Sequence, residues 1–288
     1  MNETETLNAY KTRLEDYLDK LPMAGAPDKL REAMRYSLLN GGKRLRGCLL
    51  LAACELGGGD AEAALPFAAA MEMIHAYSLI HDDPPAMDND TLRRGKPTNH
   101  VVFGEALAIL AGDALLTHAV ELMAASRHPC AFAALGEIIR AAGVGGMLAG
   151  QTLDVMNEGA EPDIALVEEI HKGKTAAMLT APLTAGLILS GAEDALVEAG
   201  RVYGHHLGLA FQIVDDLLDL EGDPALMGKT LGKDKEEGKL TWPACVGIAQ
   251  ARKDAETQIE KAMEALAPFG EKAEFLRALA RSTLHRVQ

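Results

Sequence analysis

Aromatic residues are scarce. The 288-residue chain has one Trp, five Tyr and six Phe, 4% in all. Strands enrich aromatic and β-branched side chains, so this scarcity, beside plentiful alanine and leucine, favours helices. Cysteine is sparse too, at positions 48, 54, 130 and 245, with no CxxC pair. A thiolate zinc site therefore has no support, and four reduced, mostly buried thiols in a cytoplasmic protein are expected. Basic residues are outnumbered 28 to 42, for a net charge of −14. Such a surface repels nucleic-acid phosphate, which argues against nucleic-acid partners. A small phosphorylated substrate would still fit one local basic pocket. The opening MNETETLNAYK lacks a basic stretch followed by an apolar one, so no signal peptide is expected. One uncharged run, 175–192, approaches a spanning length. Pro182 within it, and Lys172 and Lys174 just before it, point instead to a helix buried in a bundle, with no transmembrane segment.

Helical spacing runs through Leu7, Tyr10, Leu14, Leu18 and Leu21, and again through Leu30, Met34 and Leu38. Gly41-Gly42 stops the second helix, and a third is expected over 45–56. Asp60 is placed to cap a fourth that Pro84-Pro85 must end. Further helices are expected near 101–125 and 130–150, and from about 163. The SGAE run at 190–193 has the spacing of a capping box for a long helix to about 220, and two more helices fill 241–286. No convincing strand, linker or repeat is visible. The expectation is one all-α domain over 1–288, an antiparallel bundle.

Two acidic clusters break this apolar pattern. The first is His81-Asp82-Asp83-Pro-Pro-Ala-Met-Asp88-Asn-Asp90. Acids at a helix C-terminus oppose the dipole, so the cluster costs stability unless a cation offsets it. A hard divalent ion takes oxygen ligands, and Mg²⁺ binds one or two carboxylates plus substrate phosphates. The second is Phe211-Gln212-Ile-Val-Asp215-Asp216-Leu-Leu-Asp219, in which Asp215 and Asp219 share a helix face and Gln212 joins them. Read singly, either is also an ordinary wet helix end. Two in one helical chain are far more specific.

Cations recur beside them. Arg93, Arg94 and Lys96 follow the first cluster within ten residues, where guanidinium forks suit phosphate oxygens or local ion pairs. Lys43, Arg44 and Arg46 flank a glycine pair where backbone can approach an anion closely. No strand precedes them and the spacing is not that of a P-loop, which excludes an NTPase. His75 lies two turns before Asp82, on the order of 10 Å away on about the same face. Lys172, Lys174 and the glycine-containing run with Lys229, Lys233 and Lys239 add further positive charge.

In order along the chain, GGKRLR, HDDxxxxD followed by LRRGKPT, GQxxD at 151–154, HKGKT, FQIVDDLLD and GK…GKD…GK make this sequence resemble the trans-isoprenyl diphosphate synthases, most of all the bacterial farnesyl type. The resemblance implies an isoprenoid-synthase-like bundle around a deep central cavity, usually a homodimer. It implies head-to-tail condensation of isopentenyl diphosphate with an allylic diphosphate, with three Mg²⁺ per site, for which Mn²⁺ can substitute. By it, Asp82, Asp88 and Asp215 are metal ligands, assisted by Asp83 and Asp219. Arg93, Lys174, Gln212 and Lys229 hold the allylic diphosphate. Lys43, Arg46, His75 and Arg94 hold isopentenyl diphosphate, and Thr175 steadies the allylic cation.

The resemblance also implies that residues just before the first acidic cluster form part of the floor of the product-tail pocket; Tyr77, five residues before Asp82, would then close it, whereas Ser78 beside it would not. With the two extra residues inside 82–88, this points to a fifteen-carbon product. Tyr77 is also a plausible plain core residue, and geranyl or geranylgeranyl synthases share every catalytic motif. A cyclase would not need the second basic set, and a non-catalytic subunit would be expected to lose one acidic cluster. Pro84, Gly47 and Thr91 depart from the usual pattern, which holds leucine, proline and an acid at those places.

Overall fold

The computed structural model describes residues 3–221 and 238–284. Helices α1 (Glu3–Asp19), α2 (Asp28–Leu38), α3 (Leu45–Leu56) and α4 (Ala61–Asp82) come first. A two-residue hairpin, β1 (Leu92–Arg93) with β2 (Lys96–Pro97), then leads into α5 (Asn99–Phe103), α6 (Glu105–Ala124), α7 (Ala131–Ala142), α8 (Met147–Met156) and α9 (Ile164–His171). A π-helical turn (Lys172–Ala176) opens α10 (Ala177–Leu189). The long α11 (Asp194–Glu221), then α12 (Trp242–Val246), α13 (Ile248–Ala265) and α14 (Glu274–Leu284) complete the described chain.

The all-α expectation holds, and α10 is buried as foreseen, against α3, α7 and α11. Asp60 caps α4 by accepting from Glu62 N at 2.9 Å. Four details differ from the sequence reading. The hairpin is one: Arg94 (φ 54°) and Gly95 (φ 74°) make its two-residue turn, the left-handed pair that tight hairpins need. The helix expected over 101–125 is cut at Gly104 (φ 83°), and the one over 130–150 by the glycine-rich 143–146. Ser190 is no N-cap. It ends α10, its hydroxyl donating to Leu187 O at 2.7 Å. Gly191 follows at φ 73°, and Ala192 N returns to Leu187 O, a Schellman closure. Of the cysteines, all unpaired, Cys48 and Cys54 are buried but Cys130 and Cys245 only partly.

A buried ion pair fixes the base of the basic loop. Arg44, in left-handed backbone at φ 52°, places Nη1 3.6 Å from Glu72 Oε2, both side chains 4% exposed. Glu72 Oε1 accepts from Gly47 N at 2.9 Å. This explains the departure at Gly47. Proline has no N–H to give Glu72, and a Cβ there would sit 2.3 Å from Leu14 Cδ2. Arg44→Met should leave the Glu72 charge buried and unpaired, lowering the unfolding free energy by about 3–5 kcal/mol in urea titrations.

Candidate active site

The first acidic block forms because a helix is stopped and the chain doubles back. Pro84 O accepts from Met87 N (2.9 Å) and Asn89 N (3.2 Å), and Asp88 N donates to Asp82 O at 2.9 Å. That return bond sets Asp88 beside Asp82 across six residues. Burial first, then Asp88 and Asp83, outweigh the opposing pull of Lys174 and Arg93, and push Asp82 up to about 6. Asp82 Oδ1 accepts from Gln151 Nε2 at 3.0 Å, and Asp88 Oδ1 lies 3.5 Å from Lys239 Nζ. Asp83 is placed differently. It is buried and takes Arg93 Nε at 2.6 Å, while Arg93 Nη2 reaches Asp90 at 3.4 Å. The local pairing open to Arg93 is thus realised, with Asp83 as its partner.

Glycines let the rest close in. A Cβ on Gly150 of α8 would lie 2.1 Å from Lys174 N, and one on Gly208 of α11 would lie 2.4 Å from Ala176 Cα. The π-turn is therefore wedged between α8 and α11 with backbone against backbone. Lys174 Nζ meets Asp154 Oδ2 at 2.6 Å on one side, and Thr175 Oγ1 donates to Gln212 Oε1 at 2.7 Å on the other. Through Gln151 and Asp154, α8 joins Asp82 to Lys174. Through Gln212, α11 joins Thr175 to the second acidic block. Sequence spacing alone set Gln212 with Asp215, but its Nε2 donates to Asp216 Oδ1 at 3.0 Å. Asp154 and Gln151 were visible only as a family motif without assigned roles. Their meeting with Lys174 and Asp82 is a tertiary fact.

The basic set gathers around His75. Burial, then the fields of Arg46, Arg94, Arg93 and Arg44, hold His75 well below its ordinary value, so the ring is neutral among guanidiniums. Arg94 donates to Gly41 O and lies against Gly42, whose absent Cβ would touch its guanidinium. Arg46 Nε is buried without a partner. A buried guanidinium N–H with no acceptor is a site that an anion relieves. Lys43 is exposed. Tyr77 is buried in the core and edge-on to His81 (centroids 5.7 Å apart), while Ser78 Oγ donates to His75 O at 3.0 Å. Lys229 lies outside the described residues.

Among the described residues, no three His, Cys, Asp or Glu side chains converge to form a metal cage on their own. The donors present still suit a hard cation. They are carboxylate oxygens, and Asp219 Oδ2 is buried without a hydrogen bond. Mg²⁺ completes its shell with water and substrate phosphate rather than with protein alone. A crevice of about 480 Å³ between α7, α10 and α11 is lined by none of the residues predicted to form the site.

The family model described as Polyprenyl synthetase matches residues 27–279, and the chain belongs to that family. It is 45% identical over 267 residues to a farnesyl diphosphate synthase of Geobacillus stearothermophilus, covering 91% of this chain and 89% of that one. It is 46% identical over 279 residues to the large subunit of a heterodimeric geranylgeranyl pyrophosphate synthase of Arabidopsis thaliana, covering 93% and 75%. An apo crystal structure of an FPP/GFPP synthase from Zymomonas mobilis superposes with a TM-score of 0.86 at 35% identity, covering 98% and 99%. The chain is thus a short-chain isoprenyl diphosphate synthase, a prenyltransferase.

Two outcomes follow for the site. Asp82 keeps its proton in the folded protein at pH values where the unfolded chain has lost it. Its contribution to metal-free stability is therefore full below about 4 and lost as pH rises through about 6. A cation binding there must displace that proton. Mg²⁺ affinity, corrected for protonation of the diphosphate itself, should weaken about tenfold per unit below pH 6. A flat profile would place Asp82 off the metal. Separately, Gly150→Ala should push Lys174 outward and lower kcat by about 10²-fold while the helical circular dichroism is retained.

Proposed function

We propose that this enzyme condenses isopentenyl diphosphate with dimethylallyl and then geranyl diphosphate, releasing farnesyl diphosphate. Asp82, Asp88 and Asp215, with Asp219 assisting, would hold Mg²⁺, three ions per site, with Mn²⁺ as a possible substitute. The metal's contribution is charge neutralisation of the departing diphosphate. Lys174, with Lys229, holds that diphosphate, and Arg93 shares this role once it exchanges Asp83 for phosphate oxygens. Arg46, Arg94 and Lys43 hold isopentenyl diphosphate beside neutral His75. The allylic C–O bond breaks, and its electron pair leaves with the diphosphate. The alkene of isopentenyl diphosphate then attacks the allylic carbon, a new C–C bond forms, and a proton is lost from the adjacent carbon. Thr175 and Gln212 present oxygen dipoles to the positive charge on the way. The released diphosphate can take the proton, so no side-chain base is required.

The observation that carries the fifteen-carbon product is Tyr77, buried on α4 one and a half turns before Asp82. That is roughly 7–8 Å along the helix. The plant relative favours a second reading, geranylgeranyl diphosphate, since it is 46% identical over 279 residues and carries a different printed product. Incubation with isopentenyl and dimethylallyl diphosphates, with and without Mg²⁺, separates the two by product mass. A metal-dependent fifteen-carbon product is expected, and Tyr77→Ala should lengthen it by at least one five-carbon unit. Unchanged product length in that variant would remove Tyr77 from the pocket floor.

The assembly we favour is a homodimer. α4, α6 and the stretch Ala131–Met156 are long and apolar enough to span a membrane by composition. α4 is mostly buried, but Val101, Ile109, Leu110, Phe132 and Met156 remain exposed on α5 to α8. An apolar face of that breadth suits a second copy of the chain better than water. One domain is supported by the family match over 27–279. The four unpaired cysteines suit a reducing, cytoplasmic setting.

A further inference from the structure

Asp216 is the carboxylate that the functional reading leaves unused, yet it is the most heavily engaged acid in the second block. It is 3% exposed. Its Oδ1 accepts from Gln212 Nε2 at 3.0 Å. Its Oδ2 accepts from Trp242 N at 2.8 Å and lies 3.3 Å from His171 Nε2. His171, itself buried, stacks on the Trp242 indole with centroids 5.7 Å apart and planes 22° from parallel. The indole Nε1 donates to Asp254 Oδ2 at 2.8 Å, which secures Trp242 to α13.

These contacts meet the π-turn at both of its ends. His171 is the residue immediately before the turn, and Thr175 hangs from Gln212 near its close. Lys174 lies between them. One buried carboxylate therefore fixes the two points from which Lys174 and Thr175 are presented. It also fixes Trp242, where the described chain resumes its helices after 222–237. Both Asp216 oxygens thus already accept from protein donors, Gln212 Nε2 and Trp242 N.

We propose that Asp216 is a positioning residue, which acts through Gln212 and His171 to aim Thr175 and Lys174 at the allylic diphosphate, and that it is not a metal ligand. The proposal rests on Thr175 facing the substrate. The charge is essential to the arrangement. A carboxylate can only accept, so Gln212 must offer its NH₂ to Asp216 and its Oε1 to the Thr175 hydroxyl. An asparagine in place of Asp216 still accepts from Trp242 N through Oδ1, but offers NH₂ toward Gln212. The Gln212 amide then inverts, and the Thr175 hydroxyl loses its acceptor and turns.

The test uses the full-length enzyme with Asp216→Asn, Thr175→Val and the double variant, each followed by kcat, allylic KM and Mg²⁺ half-saturation. Thr175→Val should lower kcat. Asp216→Asn should lower kcat about 10- to 100-fold with Mg²⁺ half-saturation unchanged. The double variant should be no slower than the worse single one, because both changes break one chain of contacts. A tenfold rise in Mg²⁺ half-saturation would make Asp216 a ligand and overturn the proposal. Multiplying losses in the double variant would reduce its role to general stability and overturn it too. Thr175→Val with unchanged kcat would overturn both the proposal and the Thr175 assignment beneath it. Should Asp216→Asn fail to fold, His171→Gln carries the same cycle against Thr175→Val, with the same expected non-additivity.

Discussion

Everything at this site depends on how closely three backbones approach. The π-turn can lie between α8 and α11 only because Gly150 and Gly208 present no side chain to it. A single methyl at either place would lie 2.1–2.4 Å from backbone atoms, far inside van der Waals contact. Widening the seam would draw Lys174 from Asp154 and Thr175 from Gln212 together. The two acidic blocks are linked through this turn, by Gln151 and Asp154 on one side and Gln212 on the other. A π-turn also carries one residue more than the α-helical repeat. That displaces the residues before it relative to α10, and brings both Lys174 and Thr175 to neighbouring helices instead of one.

Electrostatics then sorts the acids. Several carboxylates already have protein partners: Asp83 has Arg93, Asp154 has Lys174, and Asp216 has Gln212 and Trp242. Those left strained keep a reason to bind a cation. Asp82 is raised toward neutrality by burial and like charge, and Asp219 buries an oxygen without a hydrogen bond. The same sorting applies to the cations. Arg44 is spent on Glu72, whereas Arg46 retains a buried N–H with no acceptor. Two cations of one motif, two positions apart, thus differ in pairing, because helix geometry sends near neighbours to different surroundings.

The helices were legible because their punctuation is local. Asp60, Pro84-Pro85 and the 3.6-residue apolar spacing act within a few positions. The misses have equally local causes that compete with that spacing. Gly104 and the 143–146 glycines interrupt otherwise apolar runs, and Ser190 serves the helix behind it rather than the one ahead. The Arg94-Gly95 turn lacks the Asn-Gly or Asp-Gly signature that announces a hairpin. Within the site, the acids and bases could be chosen by type and order, but not by role. Helical spacing sets Asp215 and Asp219 on one face and leaves Asp216 on another, with no partner to be named. Only packing against the residues after 238 and beside the π-turn shows what Asp216 holds.

The departures from the family pattern follow the same logic. Gly47 gives up the rigidity of proline but supplies an N–H to Glu72, which in turn pairs with Arg44 at the base of the basic loop. Pro84 does the reverse. It removes a donor where helix α4 must stop in any case, and its carbonyl gathers Met87 N and Asn89 N into the turn that returns Asp88 to Asp82. A loop with two extra residues between its acids would otherwise have more conformations to lose on binding a cation. Proline limits that loss in the unfolded chain as well as in the folded one. The altered residues therefore preserve the carboxylate pairing that the longer loop would loosen.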